Sequence, residues 1–136
     1  MAIILDADVI IGGEKKTFDL ETWLDQNSNE EFAIASITVA ELWHGVERAK
    51  TAKQRSTRQK YLQSIQSILP VIPYTMASAF EHARLWAHLE ETGEMIGYYD
   101  LIVSAIALER GDGVATFNTR HFERVPKLKV ILPVCK

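Results

Sequence analysis

The sequence predicts an α/β fold in which a central parallel sheet is flanked by helices, as an α/β/α three-layer arrangement. Short apolar runs rich in β-branched residues alternate along the chain with longer segments whose apolar residues recur at helical spacing. No segment between them has the length or polarity of an interdomain linker, and 136 residues is the usual size of one domain. Because strands that alternate with helices pair in parallel, we expect a single domain over residues 1–136.

The first half of the chain predicts a β-α-β unit followed by two helices. Ala2–Leu5 and Phe32–Ser36 are the predicted strands, and Phe18–Leu24 supplies a short crossover helix because its apolar residues share one face. The two following helices are predicted to form an arm. Their apolar stripes are Val39, Leu42, Trp43 and Val46 in the first, and Tyr61, Leu62, Ile65, Ile68 and Leu69 in the second.

The second half predicts two more helices and the remaining strands. We expect one helix to begin at Met76 and to end near Gly93, since glycine commonly follows the last turn of a helix. Leu101–Leu108 is apolar almost all round, which indicates a buried helix. Extended segments are predicted at Val71–Pro73, Gly113–Thr116 and Lys129–Leu132.

Composition narrows the possible functions. The formal net charge of −3 argues against binding nucleic acid through bulk charge, so any contact with a polyanion must be local. The single cysteine, Cys135, provides neither a disulfide framework nor a cysteine-based zinc site. The apolar start of the chain is interrupted at Asp6, and no later stretch reaches the roughly 18 apolar residues of a membrane span. We therefore expect a cytoplasmic protein with no contact to a membrane.

Acidic residues are predicted to gather at one edge of the sheet. Asp6 follows the first strand, Glu41 falls in the first turn of the helix after the second strand, and Asp100 opens the buried helix. Asn118 follows the strand that leads to Thr116. Ligands of such sheets bind beyond the carboxyl ends of the strands. Carboxylates without paired histidines or cysteines suit Mg²⁺ or Mn²⁺ better than zinc.

Each acid also has a purely structural interpretation. Thr38–Glu41 matches a capping box, in which Glu41 would close back on the Thr38 amide. Asp100 at a helix start would complement the helix dipole. Asp8 is more typical of a helix cap or a turn. The combination of acids, rather than any single one, therefore indicates a site.

Taken in order, several segments resemble the successive motifs of the PIN-domain nucleases, with the closest likeness to VapC-type toxins of prokaryotic toxin-antitoxin pairs. The resemblance implies a metal site built from Asp6, Glu41 and Asp100, and the position of Asn118 often holds a fourth acid. It also implies Mg²⁺-dependent cleavage of RNA, a homodimer, and a cognate antitoxin that occludes the site. The segments are Leu5–Ile10, Thr38–Leu42, Tyr99–Ala107 and Thr116–Phe122.

These residues permit metal-assisted hydrolysis. A cation held by Asp6 and Asp100, with Glu41 as a further ligand or as orienter of the attacking water, would bind a phosphate oxygen and lower the pKa of that water. Asn118 completes the predicted catalytic set. The residues expected to contact the substrate, either tRNA or mRNA, are Thr116, Arg120 and His121.

Positive charge is concentrated in one segment of this acidic chain. A solvated helix surface is the simpler interpretation, and an arm that follows RNA phosphates is the functional one. The basic residues of the segment are Arg48, Lys50, Lys53, Arg55, Arg58 and Lys60.

Two other functions remain open from the sequence. Leu5–Val9 also resembles the Asp-x-Asp motif of haloacid-dehalogenase-type phosphatases, in which Asp6 would attack phosphorus and Asp8 would act as acid and base. Asp112 stands alone in a Gly-Asp-Gly turn, so the second acidic motif of that family is missing. The other possibility is a PIN-like binding module with a weak site, because Asn118 contributes no charge.

Overall fold

The computed structural model describes every residue from Met1 to Lys136 and contains five strands and seven helices. The strands are β1 (Ala2–Leu5), β2 (Glu31–Ala35), β3 (Val71–Ile72), β4 (Gly113–Ala115) and β5 (Val130–Ile131). The helices are α1 (Ala7–Lys15), α2 (Leu20–Gln26), α3 (Ser36–Glu47), α4 (Ala52–Ile68), α5 (Met76–Thr92), α6 (Tyr98–Arg110) and α7 (Thr119–Phe122).

All five strands pair in parallel in one sheet with the order β3-β2-β1-β4-β5. In the central strand, Ile4 lies opposite Ala33 of β2 on one side and Val114 of β4 on the other. The chain builds outward from β1 through β2 and β3, and it then returns to the opposite side of β1 for β4 and β5. The strand order therefore reverses between β1 and β4, which is where sheets of this kind open a crevice for ligands.

Side chains of β1 alternate between two apolar cores. Ile3 and Leu5 pack with residues of α1, α2, α3 and α4, whereas Ile4 packs with Val103 and Ile106 of α6. A smaller cluster around Leu85 joins α5 to α6. Helices thus cover both faces of the sheet, and the predicted three-layer α/β/α fold is confirmed. None of the helices combines the length and the hydropathy that crossing a bilayer requires.

Helix α1 was not predicted from the sequence. Gly12 and Gly13 lie near its end, and glycine weakens the helical pattern because of its poor helix propensity. Gly13 is needed there, since a Cβ at this position would lie 2.5 Å from the Tyr61 hydroxyl oxygen. That hydroxyl donates a 2.7 Å hydrogen bond to the carbonyl of Ile10 and so ties α1 to α4.

Two other predictions are corrected in the same half of the chain. Strand β2 ends at Ala35, and Ser36 is already the first residue of α3. The predicted arm of α3 and α4 is only partly separate from the body of the protein. The first residues of α4, 52–57, are exposed, but Leu62 and Ile65 of the same helix belong to the main core.

Candidate active site

Asp6 lies at the reversal of strand order and is held in place from three directions. Its backbone amide donates a 2.9 Å hydrogen bond to the carbonyl of Ala115. Its Oδ1 accepts from the Ala7 amide at 2.9 Å and so caps α1. Its Oδ2 accepts from the Thr116 hydroxyl at 2.8 Å. With only 7% of its surface exposed, Asp6 is a fixed carboxylate, and burial, together with the neighbouring Asp8 carboxylate, raises its pKa to about 6.

Asp8 stands beside Asp6, a position that the sequence interpretation as a cap or turn residue missed. Its Oδ2 is 3.3 Å from the same Thr116 hydroxyl, and its carboxylate accepts from the Phe117 amide at 3.2 Å. Burial raises the pKa of Asp8 above its usual range, although these hydrogen bonds oppose the shift. The available sequence signal was the Asp-x-Asp spacing directly after an apolar strand.

Glu41 occupies the second turn of α3, not the first, because the helix begins at Ser36. The capping-box interpretation is wrong for the same reason. Ala35 is the N-cap residue, Thr38 lies inside the helix, and the Thr38 hydroxyl is buried without any hydrogen-bond partner. Burial, followed by the carboxylates of Asp6, Asp100 and Asp8 in that order, raises the pKa of Glu41 to about 7. Glu41 therefore faces the other acids.

Asp100 lies in the first turn of α6, whose N-cap residue is Gly97. Its Oδ2 is 3.5 Å from Nδ1 of the His121 imidazole. Burial raises the pKa of Asp100, and the contact with His121 partly offsets that effect. A carboxylate in the first turn also interacts favourably with the helix dipole. Asp100 therefore stabilises the start of α6 and is at the same time a member of the acid cluster.

Asn118 is connected to Asp100 through His121. The Asn118 Nδ2 atom lies 2.8 Å from Nδ1 of His121. Nδ1 of His121 cannot accept a hydrogen bond from the Asn118 side-chain amide and donate one to Asp100 at the same time. If the Asn118 amide group is flipped so that its oxygen faces the ring, a protonated Nδ1 can donate to both Asn118 and Asp100. Arg120 is exposed on α7 and forms no ion pair. Thr116 is fully buried and its hydroxyl is engaged by the carboxylates, which makes it a positioning residue.

The donor set fits a hard divalent cation in its chemistry. All of the clustered ligands are oxygen atoms of Asp6, Asp8, Glu41 and Asp100, and such atoms favour Mg²⁺ or Mn²⁺ over zinc. In their present arrangement, no three His, Cys, Asp or Glu side chains are close enough to hold one ion together. The acids still act on one another at this spacing, since burial is the main cause of the raised pKa values of Asp6 and Glu41 and neighbouring carboxylates add to it.

Comparison with known proteins decides the family. The PIN domain profile matches residues 3–128, almost the whole chain. The chain belongs to the PIN-domain family. The VapC ribonuclease Y4jK of Sinorhizobium fredii is 32% identical over 89% of this chain and 90% of its own length. The tRNA(fMet)-specific endonuclease VapC of Salmonella typhimurium is 31% identical over 76% of each chain.

Solved structures agree with this PIN-domain assignment. VapBC2 from Rickettsia felis, bound to a DNA fragment from its promoter, superposes with a TM-score of 0.88 at 28% identity over 96% of this chain and 97% of that one. VapBC-5 from Mycobacterium tuberculosis, a member of the VapBC family of toxin-antitoxin systems, gives 0.74 at 28% identity over 98% and 100%. The predicted family and enzyme class, a VapC-type ribonuclease, are confirmed, and the phosphatase alternative is not supported.

Proposed function

We propose that this PIN-domain protein is the toxin of a toxin-antitoxin pair and that it hydrolyses RNA phosphodiester bonds with Mg²⁺, for which Mn²⁺ can substitute. The observation that carries the proposal is the cluster of Asp6, Asp8, Glu41 and Asp100 at the reversal of strand order. Burial raises the pKa values of Asp6 and Glu41, and repulsion from neighbouring carboxylates raises them further within the same shift. A cation would relieve both the repulsion and the cost of burying the charges.

The roles of the site residues follow from their positions. Asp6, Glu41 and Asp100 would hold the metal, and Asp8 adds a carboxylate that the sequence prediction did not include. A divalent cation held by these residues would supply Lewis-acid chemistry toward a phosphate oxygen and a water molecule. Thr116 fixes the orientation of Asp6 and Asp8 through its hydroxyl. His121 orients Asp100 and is itself held by Asn118.

RNA is the proposed substrate, either tRNA or mRNA, and the cytoplasm is the proposed location. One of the relatives, the Salmonella enzyme, is a tRNA(fMet)-specific endonuclease. In this chain, Arg120 is exposed one residue from His121 and has no ion-pair partner, so it is free to contact a phosphate. His121 itself is about half exposed at its side chain.

A cognate antitoxin is the proposed protein partner. A groove of about 1020 Å³ runs between α2 and α4, and half of its 16 lining residues are hydrophobic. Ile68, at its rim, is 61% exposed, and Phe18 and Leu24 also line it. We place an apolar segment of the antitoxin in this groove, with a basic residue of the same chain directed at the carboxylates. The complex should then have suppressed nuclease activity.

A homodimer is also proposed, but the Leu101–Leu108 helix cannot provide its surface. This segment is apolar almost all round because it packs between the sheet and α5, with Leu101, Val103 and Ile106 fully buried. The exposed apolar surface lies instead on α5 and the start of α6. Met76, Phe80 and Tyr98 there are 72%, 70% and 71% exposed. Covering these side chains in a dimer would remove apolar area from water.

Cleavage of a labelled RNA by the purified protein tests the proposed activity. We expect cleavage with Mg²⁺ or Mn²⁺, none with a chelator, and a loss of at least about 100-fold for D100N, whose fold is checked by circular dichroism. Cleavage that persists without divalent metal would contradict the proposal. Hydrolysis of a small phosphomonoester would favour the phosphatase, and the absence of both reactions would favour a binding module with a weak site.

A further inference from the structure

A second groove adjoins the acid cluster, and four of its eleven lining residues are cations. It lies among α1, α3 and the start of α4, and its volume of about 480 Å³ falls in the range of sites that hold one small ligand. Glu41 forms part of its wall, so the groove opens directly beside the proposed metal site. The charged side chains that line it are Lys15, Arg48, Lys50 and Arg58, against Glu14 and Glu41.

Three of these four cations, Lys15, Arg48 and Lys50, form no ion pair within the protein. Arg58 is engaged, because its Nη1 donates a 2.7 Å hydrogen bond to the carbonyl of Gly45. Arg48 and Lys50 are exposed, and neither side chain forms an ion pair. By contrast, Arg55 in the same basic segment lies outside the groove and pairs with Glu47 at 3.0 Å. The structure thus separates the basic segment into a groove-lining part and a part facing solvent.

Arg48 and Lys50 lie on a turn whose backbone is held by hydrogen bonds. The Lys50 amide donates to Oε1 of Gln54 at 2.9 Å, and the Gln54 amide donates to the Thr51 hydroxyl at 3.0 Å. The Arg48 amide donates to the carbonyl of His44 at 3.0 Å. Because the turn is already ordered, binding of a ligand there would cost little backbone conformational entropy.

The cations are not counter-ions of the neighbouring acids. Glu14 and Glu41 line the same groove, but neither forms an ion pair with Arg48 or Lys50. In a chain whose net charge is −3, this groove is therefore a local positive site that can accept an anion from outside the protein.

We propose that this groove is a phosphate subsite, in which Arg48 and Lys50 bind the RNA backbone one or more nucleotides away from the bond that is cut. The proposal rests on the proposed ribonuclease function. A strand lying across Glu41 into the groove would place a flanking phosphate against the two cations. Such contacts position the substrate without reading its sequence.

Binding of a fluorescein-labelled single-stranded RNA, followed by anisotropy at a series of salt concentrations, tests the subsite. All proteins carry D100N so that the RNA stays intact. We expect R48A/K50A to bind more weakly and to reduce the slope of log affinity against log salt by about 1.4, since each phosphate contact on a single strand contributes about 0.7. K53A/K60A is the matched control, because it removes the same charge from exposed positions outside the groove.

The control should keep the slope of the parent protein. An unchanged slope in R48A/K50A, or an equal decrease in K53A/K60A, would overturn the subsite.

The experiment also separates the two proposals. If the chain with native Asp100 cleaves RNA with metal but the R48A/K50A slope is unchanged, the subsite fails and the nuclease stands. If no RNA is cleaved although the slope falls as expected, the nuclease fails and a basic RNA-binding groove remains.

Discussion

The Thr116 hydroxyl donates a 2.8 Å hydrogen bond to Oδ2 of Asp6, which lies 110 positions earlier in the chain. Both residues follow the ends of neighbouring strands, β4 and β1, and both are buried. The same hydroxyl lies 3.3 Å from Oδ2 of Asp8. One small side chain thus organises two of the clustered carboxylates.

Replacing this hydroxyl tests its positioning role. T116V leaves Asp6 without its hydroxyl donor, and the loss of a hydrogen bond to a charged group should lower the free energy of unfolding by about 1.5–3 kcal/mol at neutral pH. Mn²⁺ affinity should fall as well. S104A is the matched control, because the Ser104 hydroxyl is equally buried but has no partner. Equal destabilisation of the two variants would contradict this role.

Removing one carboxylate charge from the cluster should abolish activity while it raises the stability of the metal-free protein. D6N keeps the cap on α1, since its amide oxygen can accept from the Ala7 amide, but it removes repulsion. We expect loss of metal-dependent cleavage and a higher melting temperature of the metal-free protein at pH 8. D112N is the contrasting control, because Asp112 pairs with Arg110 at 2.7 Å and accepts from the Ala2 amide at 2.8 Å, so this variant should lose stability. Wild-type turnover in D6N would place the metal elsewhere.

Stability of the metal-free protein should fall as pH rises through the acid range. Burial and neighbouring acids raise the pKa of Asp6 from 3.8 to about 6 and that of Glu41 from 4.5 to about 7. The folded state therefore binds more protons than the unfolded state between about pH 4 and pH 7, and protonation stabilises it there. Denaturation at pH 5 and pH 8 measures this. Because pH 5 lies about one unit below the folded pKa of Asp6, Asp6 alone should account for a loss of about 1.4 kcal/mol over this interval.

Saturating Mn²⁺ should abolish most of that pH dependence. Metal binding requires deprotonated carboxylates, so Mn²⁺ affinity should rise over the same interval in which the metal-free protein loses stability. A metal-free protein that is more stable at pH 8 than at pH 5 would show that the acids do not repel one another.

Asn118 tests how many ions the site holds. A neutral amide adds no charge toward a second divalent ion, so we expect one Mn²⁺ to bind firmly without RNA. N118D should tighten Mn²⁺ binding and lower the Mg²⁺ concentration needed for half-maximal cleavage. Calorimetric titration of both proteins measures affinity and stoichiometry. If neither changes, Asn118 lies outside the metal shell and acts only through His121 or on the substrate.

The two proposed protein interfaces can be tested by one crossed pair of variants. Phe80 and Ile68 are both exposed apolar residues, but they lie on the proposed dimer face and in the α2–α4 groove, respectively. F80E should give a monomer in light scattering while it still binds antitoxin, because a buried unpaired charge opposes association. I68E should remain a dimer in light scattering but lose antitoxin binding. Each variant is the control for the other, and a wild-type monomer at tens of micromolar would contradict the dimer.

Local sequence pattern was sufficient for most of the elements around the site. Two segments show this: the β-branched run before Asp6 and the apolar segment after Asp100. The residue types in each segment indicate one kind of element and its burial, and the structure has that element in both places. Helix α1 did not follow, because Gly12 and Gly13 serve contacts with other parts of the fold. The start of α3 at Ser36 likewise depends on where β2 stops pairing, and this displaced Glu41 by one turn.

Other features of the site arise only from the tertiary structure. The role of Asp8 depends on Thr116 and the Phe117 amide, which come from the far end of the chain. The separation of Arg48 and Lys50 from the other basic residues depends on how α3 and α4 pack. Spacing along the sequence carries no information about either arrangement.

The pairing of β1 with β4 also sets when the site can first exist during synthesis. Asp6 leaves the ribosome well before Asp100 and Thr116, and β4 must insert beside β1 before Asp6 gains its hydroxyl donor. A nascent or truncated chain without β4 therefore lacks the assembled carboxylates, so a ribosome that makes this protein is not exposed to its cluster of acids until β4 has been made.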